Sequence, residues 1–257
     1  ESVREPARFY DNNVGGAIKV FDAALRAGVE HVVFSSTCAV YGAPRYAPMD
    51  EAHPVAPLSP YGRTKLMIDE TLADLSSYTP LRYVSLRYFN ASGADPDGEI
   101  GERHQPESHA LPLAIHTALG RRSHFSVFGT DYDTADGSAI RDYIHVCDLA
   151  AAHVAALGTL QSGASSNIFN LGAGVGISTL QIPAGTSGQC CFQRLAVHRA
   201  QQPGQLVVGG HLGRERDARI RKELLARKMR GGVPGQRALL GHLGQHRVEN
   251  GGTAVQR

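Results

Sequence analysis

The chain has 257 residues, 42% hydrophobic and 19% charged, which is enough to bury a core and too apolar for a disordered protein. No run of about 18 apolar residues occurs, so the sequence offers no membrane span. The net charge of +2 hides an asymmetry: residues 1–180 carry 13 Lys and Arg against 20 Asp and Glu, and residues 181–257 carry 13 against 4. The first six residues carry three charges, with no apolar segment of a signal peptide, and the absent initiator Met is expected of a piece of a longer protein. Four scattered cysteines (Cys38, Cys147, Cys190, Cys191) make neither a disulfide framework nor a zinc module. Reduced thiols imply a cytoplasmic location.

Residues 13–27 place Val14, Ala17, Ile18, Phe21, Ala24 and Leu25 on one helical stripe, stopped by Gly28. Residues 31–35 are a short apolar run, as in a strand buried on both faces. Ser59 and Pro60 open a second helix as N-cap and first-turn proline, with Tyr61, Lys65, Ile68, Leu72 and Leu75 as its stripe. Strands are predicted at 81–88, 125–128, 140–146 and 168–171, and helices at 111–119 and 149–160. Gly172-Ala173-Gly174-Val175-Gly176 does not fit a phosphate loop and is read as a turn between strand and helix. Strands alternating with helices of this length predict a parallel α/β sheet.

Beyond residue 180 the character changes. All nine tyrosines lie at or before residue 143, and 13 of the 29 glycines lie in the last 77 residues. The chain is divided at 1–95, 96–180 and 181–257, the last a basic tail with weak periodicity. A shifted reading frame and a nucleic-acid arm are the two explanations weighed for it, the first preferred. The tail is expected to pack no core.

The sharpest chemistry is Tyr61-Gly62-Arg63-Thr64-Lys65. Tyr and Lys at i and i+4 share a helix face, and the ammonium is expected to lower the tyrosine pKa toward the range of a general base. Ser35-Ser36-Thr37 lies at the carboxyl end of a buried strand, where open α/β sheets bind ligands. Together these residues can take a proton from an alcohol while a hydride leaves its carbon. A half-buried tyrosine beside a snorkelling lysine gives the same spacing.

Further runs carry a resemblance. They are Tyr10-Asp11-Asn12-Asn13-Val14, Phe34-Ser35-Ser36-Thr37-Cys38-Ala39-Val40-Tyr41-Gly42, Ser59-Pro60-Tyr61-Gly62-Arg63-Thr64-Lys65 and Leu86-Arg87-Tyr88-Phe89-Asn90. Val127-Phe128-Gly129-Thr130-Asp131-Tyr132, Arg141-Asp142-Tyr143-Ile144-His145-Val146 and Asn170-Leu171-Gly172 complete them. Over residues 1–178 the chain resembles the extended short-chain dehydrogenase/reductases, and within them the UDP-glucose 4-epimerases. The resemblance implies part of an NAD-binding, Rossmann-like, doubly wound parallel sheet (residues 1–95) with a small substrate-binding α/β part (96–180). It implies NAD as cofactor, UDP-glucose and UDP-galactose as substrates and a homodimer when full length, with no membrane partner and no nucleic acid.

By motif position, Thr37, Tyr61 and Lys65 are implied to be catalytic, with Asn12 and Phe89 as further cofactor contacts. Tyr88, Asn90, His109, Phe128 and Arg141 are implied to bind substrate, Phe128 at the uracil and Arg141 at the diphosphate. Plainer alternatives are a helix N-cap for Asn12, core packing for Phe89 and Phe128, and a surface ion pair for Arg141 with Asp142. His104 and His109 are read as solvated, with no third metal ligand near them.

The resemblance also implies that the glycine-rich pyrophosphate turn precedes residue 1. In the strand order 3-2-1-4-5-6 the strand at 31–35 is the fourth, so its edge and both faces are expected to be open, and the chain on its own to be poorly soluble and inactive without bound NAD. A nucleotide-sugar 4,6-dehydratase, which carries Asp-Glu after the threonine, is disfavoured by Cys38 and Ala39. A non-catalytic piece with a basic tail is the third reading.

Overall fold

The computed structural model describes residues 1–182 and 238–241. A helical run opens the chain as α1 (Pro6–Phe9), a π-helical turn (Tyr10–Gly15) and α2 (Gly16–Arg26). Gly28, at φ +72°, ends it in a conformation that favours glycine. Then come β1 (His31–Thr37), a 3₁₀ turn (Cys38–Val40), α3 (Pro60–Tyr78) and β2 (Arg82–Tyr88). Ser59 caps α3 as the sequence implies, its Oγ accepting from Gly62 N at 3.1 Å. Next are β3 (Asn90–Ser92), α4 (Ala110–Ala118), β4 (Ile140–His145) and α5 (Val146–Gln161). Last are β5 (Asn167–Leu171), β6 (Gly176–Ser178) and β7 (Ala238–Gly241).

The main sheet runs β5-β2-β1-β7, all parallel. Strand period decides which side chain meets which layer. Val32 and Phe34 of β1 and Tyr83 of β2 pack with Ala17 and Phe21 of α2 and Ile68 and Leu72 of α3. Val33, Val84 and Leu86 point the other way, onto Leu149, Ala152, Ala156 and Leu160 of α5. Helices on both faces of a parallel sheet make the fold doubly wound and Rossmann-like. A small sheet, β3-β4-β6, stands beside it, with β4 parallel to β3 and antiparallel to β6.

The structure corrects several expectations. Residues 125–128 form no strand; Phe125 instead packs against Leu111, Ala114, Tyr143 and Ile182. The loop after β5 leads to strand β6, not a helix. Asn12 is no N-cap, because the chain is already helical from Pro6.

β1 is also not open. Val32, Val33 and Phe34 are at most 1% exposed. Its edge pairs with β7, His31 to Phe34 opposite Ala238 to Gly241. β7 thus stands where the 3-2-1-4-5-6 order puts strand 1. Ile182 is buried, so the expected coreless tail is wrong at its start, and Ala238–Gly241 form a strand within it; the rest of it lies outside the described residues. No helix among the described residues is long and apolar enough to cross a membrane.

Phe34→Ala should cost about 3–5 kcal/mol of stability in urea unfolding, since it empties a fully buried aromatic site. A cost below about 1 kcal/mol would contradict the packing. Amide exchange within Ala238–Gly241 should be slowed by the β1 pairing; exchange at coil rates there would contradict it.

Candidate active site

The site forms where β1 and β2 end. Their register sets Thr37 beside Tyr88 and Ser36 beside Arg87. The first turn of α3 presses onto the 3₁₀ turn. A Cβ at Gly62 would lie 2.7 Å from the Ala39 carbonyl oxygen, so glycine permits that approach. Tyr61 is thereby carried toward Thr37, near enough for that hydroxyl to favour the phenolate, and the Thr37 hydroxyl accepts from Ala39 N at 3.2 Å.

One turn on, Lys65 is 3% exposed and donates from Nζ to the Ser35 carbonyl at 3.0 Å. Its Nζ lies 4.9 Å from the Phe34 ring centroid and 5.9 Å from that of Tyr61. Ser35 Oγ is 3.0 Å from His153 Nε2, and His153 Nδ1 is 2.7 Å from the Leu149 carbonyl. With Nδ1 donating to that carbonyl, Nε2 accepts from Ser35. The expected trio of Thr37, Tyr61 and Lys65 is therefore one cluster.

The electrostatics differ from expectation. Burial pushes the Tyr61 phenol up to about 12; Tyr88 adds to the rise and the Thr37 hydroxyl opposes it. Burial pulls Lys65 down to about 8, opposed by Asp69. Desolvation thus outweighs the lowering of the Tyr61 pKa expected from the nearby ammonium.

Beneath this cluster lies a polar network that sequence reasoning missed. Asp69, one turn beyond Lys65, accepts from Ser36 Oγ at 3.1 Å, Ser85 Oγ at 2.5 Å and Arg87 Nε at 3.0 Å. Arg87 Nη1 donates to Tyr41 OH at 3.1 Å, and Tyr41 OH donates to Asn170 Oδ1 at 2.7 Å. Asn170 in turn donates from its backbone N to Glu51 at 2.6 Å. The available signal was Ser85 and Arg87 alternating inside an apolar strand, opposite an acid on the inner face of α3.

The π turn joins the site through Asn13, whose Nδ2 donates to Thr64 Oγ1 at 3.0 Å. Asn12 beside it is exposed and donates to Asn13 Oδ1 at 3.1 Å. Tyr88 is half-buried at the sheet end, and Phe89 packs against Cys38, Val40 and Tyr41. Asn90 and Arg141 are exposed, and Phe128 is 64% exposed. Arg141 Nη1 donates to its own neighbour's carbonyl at Ile140, while Asp142 accepts from Ala173 N and Gly174 N, so these two are not the surface ion pair considered above.

His109 is 43% exposed before α4. Its Nδ1 is 3.0 Å from Glu107 and 3.5 Å from Glu102, while His104 Nδ1 is 3.5 Å from Glu107. Ligand atoms of Glu102, His104 and His109 lie within 4.8 Å of one another. The loop folds back and supplies the third metal-type side chain that the spacing did not reveal.

Residues 1–172 match the NAD dependent epimerase/dehydratase family. The chain belongs to that family. It is 58% identical over 182 residues to a UDP-glucose 4-epimerase of Rhizobium meliloti strain 1021, a match covering 71% of this chain and 56% of the relative. The crystal structure of UDP-glucose 4-epimerase from Brucella ovis in complex with NAD aligns with a TM-score of 0.69 and 50% identity, covering 71% of this chain and 56% of that one. The Stenotrophomonas maltophila enzyme, solved with NAD and formylated UDP-arabinopyranose, aligns with a TM-score of 0.67 and 42% identity, covering 70% and 54%. The chain therefore spans about half the length of these family members.

In ligand-free protein the Tyr61 phenolate signal, read as the ultraviolet difference between the wild type and Tyr61→Phe, should emerge only near pH 12. An ionised Tyr61 near neutral pH would contradict the dominance of burial.

Proposed function

We propose that this protein, when full length, interconverts UDP-glucose and UDP-galactose through reversible oxidation at C4. The observation that carries the reading is the Thr37–Tyr61–Lys65 cluster at the carboxyl end of a parallel sheet. An ammonium, a phenol and the Asn12 carboxamide form a donor set suited to the hydroxyls of a nucleotide ribose. The residues fit NAD in that respect. When bound, NAD supplies a hydride acceptor and, oxidised, a positive charge.

Tyr61 takes the proton of the sugar 4-hydroxyl, and Thr37 hydrogen-bonds the same oxygen. Lys65 holds the ribose hydroxyls and the local positive field. Burial holds the Tyr61 phenol up near 12 in the ligand-free fold, and the positive charge of a bound NAD would favour the phenolate there. Asn12 and Phe89 are further cofactor contacts. Tyr88, Asn90, His109, Phe128 and Arg141 bind the nucleotide sugar, Arg141 as a guanidinium on the diphosphate.

Cys38 argues against a dehydratase. Its thiol is pushed up by burial and donates to the Arg87 carbonyl at 3.2 Å, and Ala39 offers no acid or base. The reading includes residues 1–95 as cofactor-binding, 96–180 as substrate-binding and 181–257 as a basic tail. It also includes a homodimer in the cytoplasm, where the reduced thiol of Cys38 suits the compartment. It assigns no nucleic-acid partner.

With UDP-galactose as substrate, the full-length protein should yield UDP-glucose without net consumption of NAD. Tyr61→Phe should lower the rate about 10²–10⁴-fold. A near-wild-type rate would remove Tyr61 from the chemistry, and a 4-keto-6-deoxy sugar as main product would overturn the reading.

A further inference from the structure

The ion pair under the site poses a question of placement. Asp69 and Arg87 are 3% and 5% exposed. Apolar residues of similar volume often stabilise such a position as well as a buried pair does. Stability alone does not explain the pair, whereas its place beside the Tyr61–Lys65 face does.

We infer that Asp69 is a positioning residue for this site: it ties α3 to β1 and β2 and supplies the countercharge to the buried Lys65 ammonium. The tie is three hydrogen bonds to one carboxylate, from Ser36 on β1 and from Ser85 and Arg87 on β2. Tyr61, Lys65 and Asp69 stand at i, i+4 and i+8, so fixing Asp69 fixes the other two along the sheet.

Four of the described elements bring groups to Lys65. From α3 come Tyr61 and Asp69. β1 brings the Phe34 ring and the Ser35 carbonyl. β2 brings Arg87 through Asp69, with Tyr83 in the same layer and Tyr88 beside Tyr61. α5 brings His153 through the Ser35 hydroxyl. Among these, Asp69 is the one carboxylate, and it opposes the burial that lowers Lys65. Asp69→Asn removes that charge and leaves the Arg87 cation uncompensated. Both changes favour neutral Lys65.

The test reads Lys65 directly. The chain has four lysines (Lys19, Lys65, Lys222 and Lys228), so ¹³Cε-labelled lysine gives few signals, and Lys65→Arg assigns the one in question. The wild-type signal should titrate near pH 8. In Asp69→Asn the midpoint should fall to about 7 or below, Asp69→Glu should restore it, and Arg87→Gln should raise it. Circular dichroism confirms folding of each variant, and Arg87→Gln and Asp69→Glu carry the test should Asp69→Asn not fold.

Equal midpoints in the folded variants would overturn the inference. The catalytic consequence rests on the proposed reaction, whereas the titration does not, so the two fail separately. In the active protein, the alkaline limb of kcat/KM should move with the Lys65 midpoint. A purely structural loss would lower the rate at every pH and leave that limb in place.

Discussion

The contact between the Asp69 carboxylate and the Arg87 guanidinium, 3.0 Å long and almost wholly buried, sets the geometry on which the site depends. A buried carboxylate must have its oxygens satisfied, and here the donors come from two adjacent strands. That requirement allows one register of α3 over the sheet. Burial pulls Arg87 down, but the Asp69 charge and the Tyr41 hydrogen bond outweigh it and leave the guanidinium above its ordinary pKa. The chain of donors continues through Tyr41 to Asn170 on β5. The sheet end is thus braced from β1 to β5 by polar groups, with apolar packing on either side.

Alternation along the strands lets one sheet serve both purposes. Val33 faces α5 and Phe34 faces α3, so each adds to a different core. Continuing the same period, Ser35 meets His153 of α5 and Ser36 meets Asp69 of α3. The switch from apolar to polar at residue 35 marks where core ends and site begins. It also explains why desolvation governs the ionisation of Tyr61 and Lys65. Both side chains are held within the margin of a packed core, where the neutral form of each is favoured. A site built this way changes its proton affinity when charge enters with a ligand.

Much of this was legible in the sequence because local chemistry and tertiary packing agree there. Ser59 and Pro60 announced α3, and the run at 31–35 announced a strand covered on both faces. Tyr61, Lys65 and Thr37 were legible as a group because helix spacing and strand-end position both point at them. Asp69 was not, since a lone acid on a helix reads as solvated until its donors on two other elements are in place. The strand expected at 125–128 failed for a related reason. Phe125 and Phe128 look like strand residues, yet one packs singly into a core and the other stays exposed. The pairing of β7 with β1 joins residues some two hundred positions apart, and no local pattern signals it.

In the proposed reaction Tyr61 handles only the hydroxyl proton, while the hydrogen on C4 leaves as hydride and returns without exchanging with water. Deuterium at C4 distinguishes this from proton abstraction at carbon. UDP-galactose labelled with deuterium at C4, converted by the full-length protein in ordinary water, should give UDP-glucose that retains the label at C4 by proton NMR. Loss of the label to solvent during conversion would contradict the account.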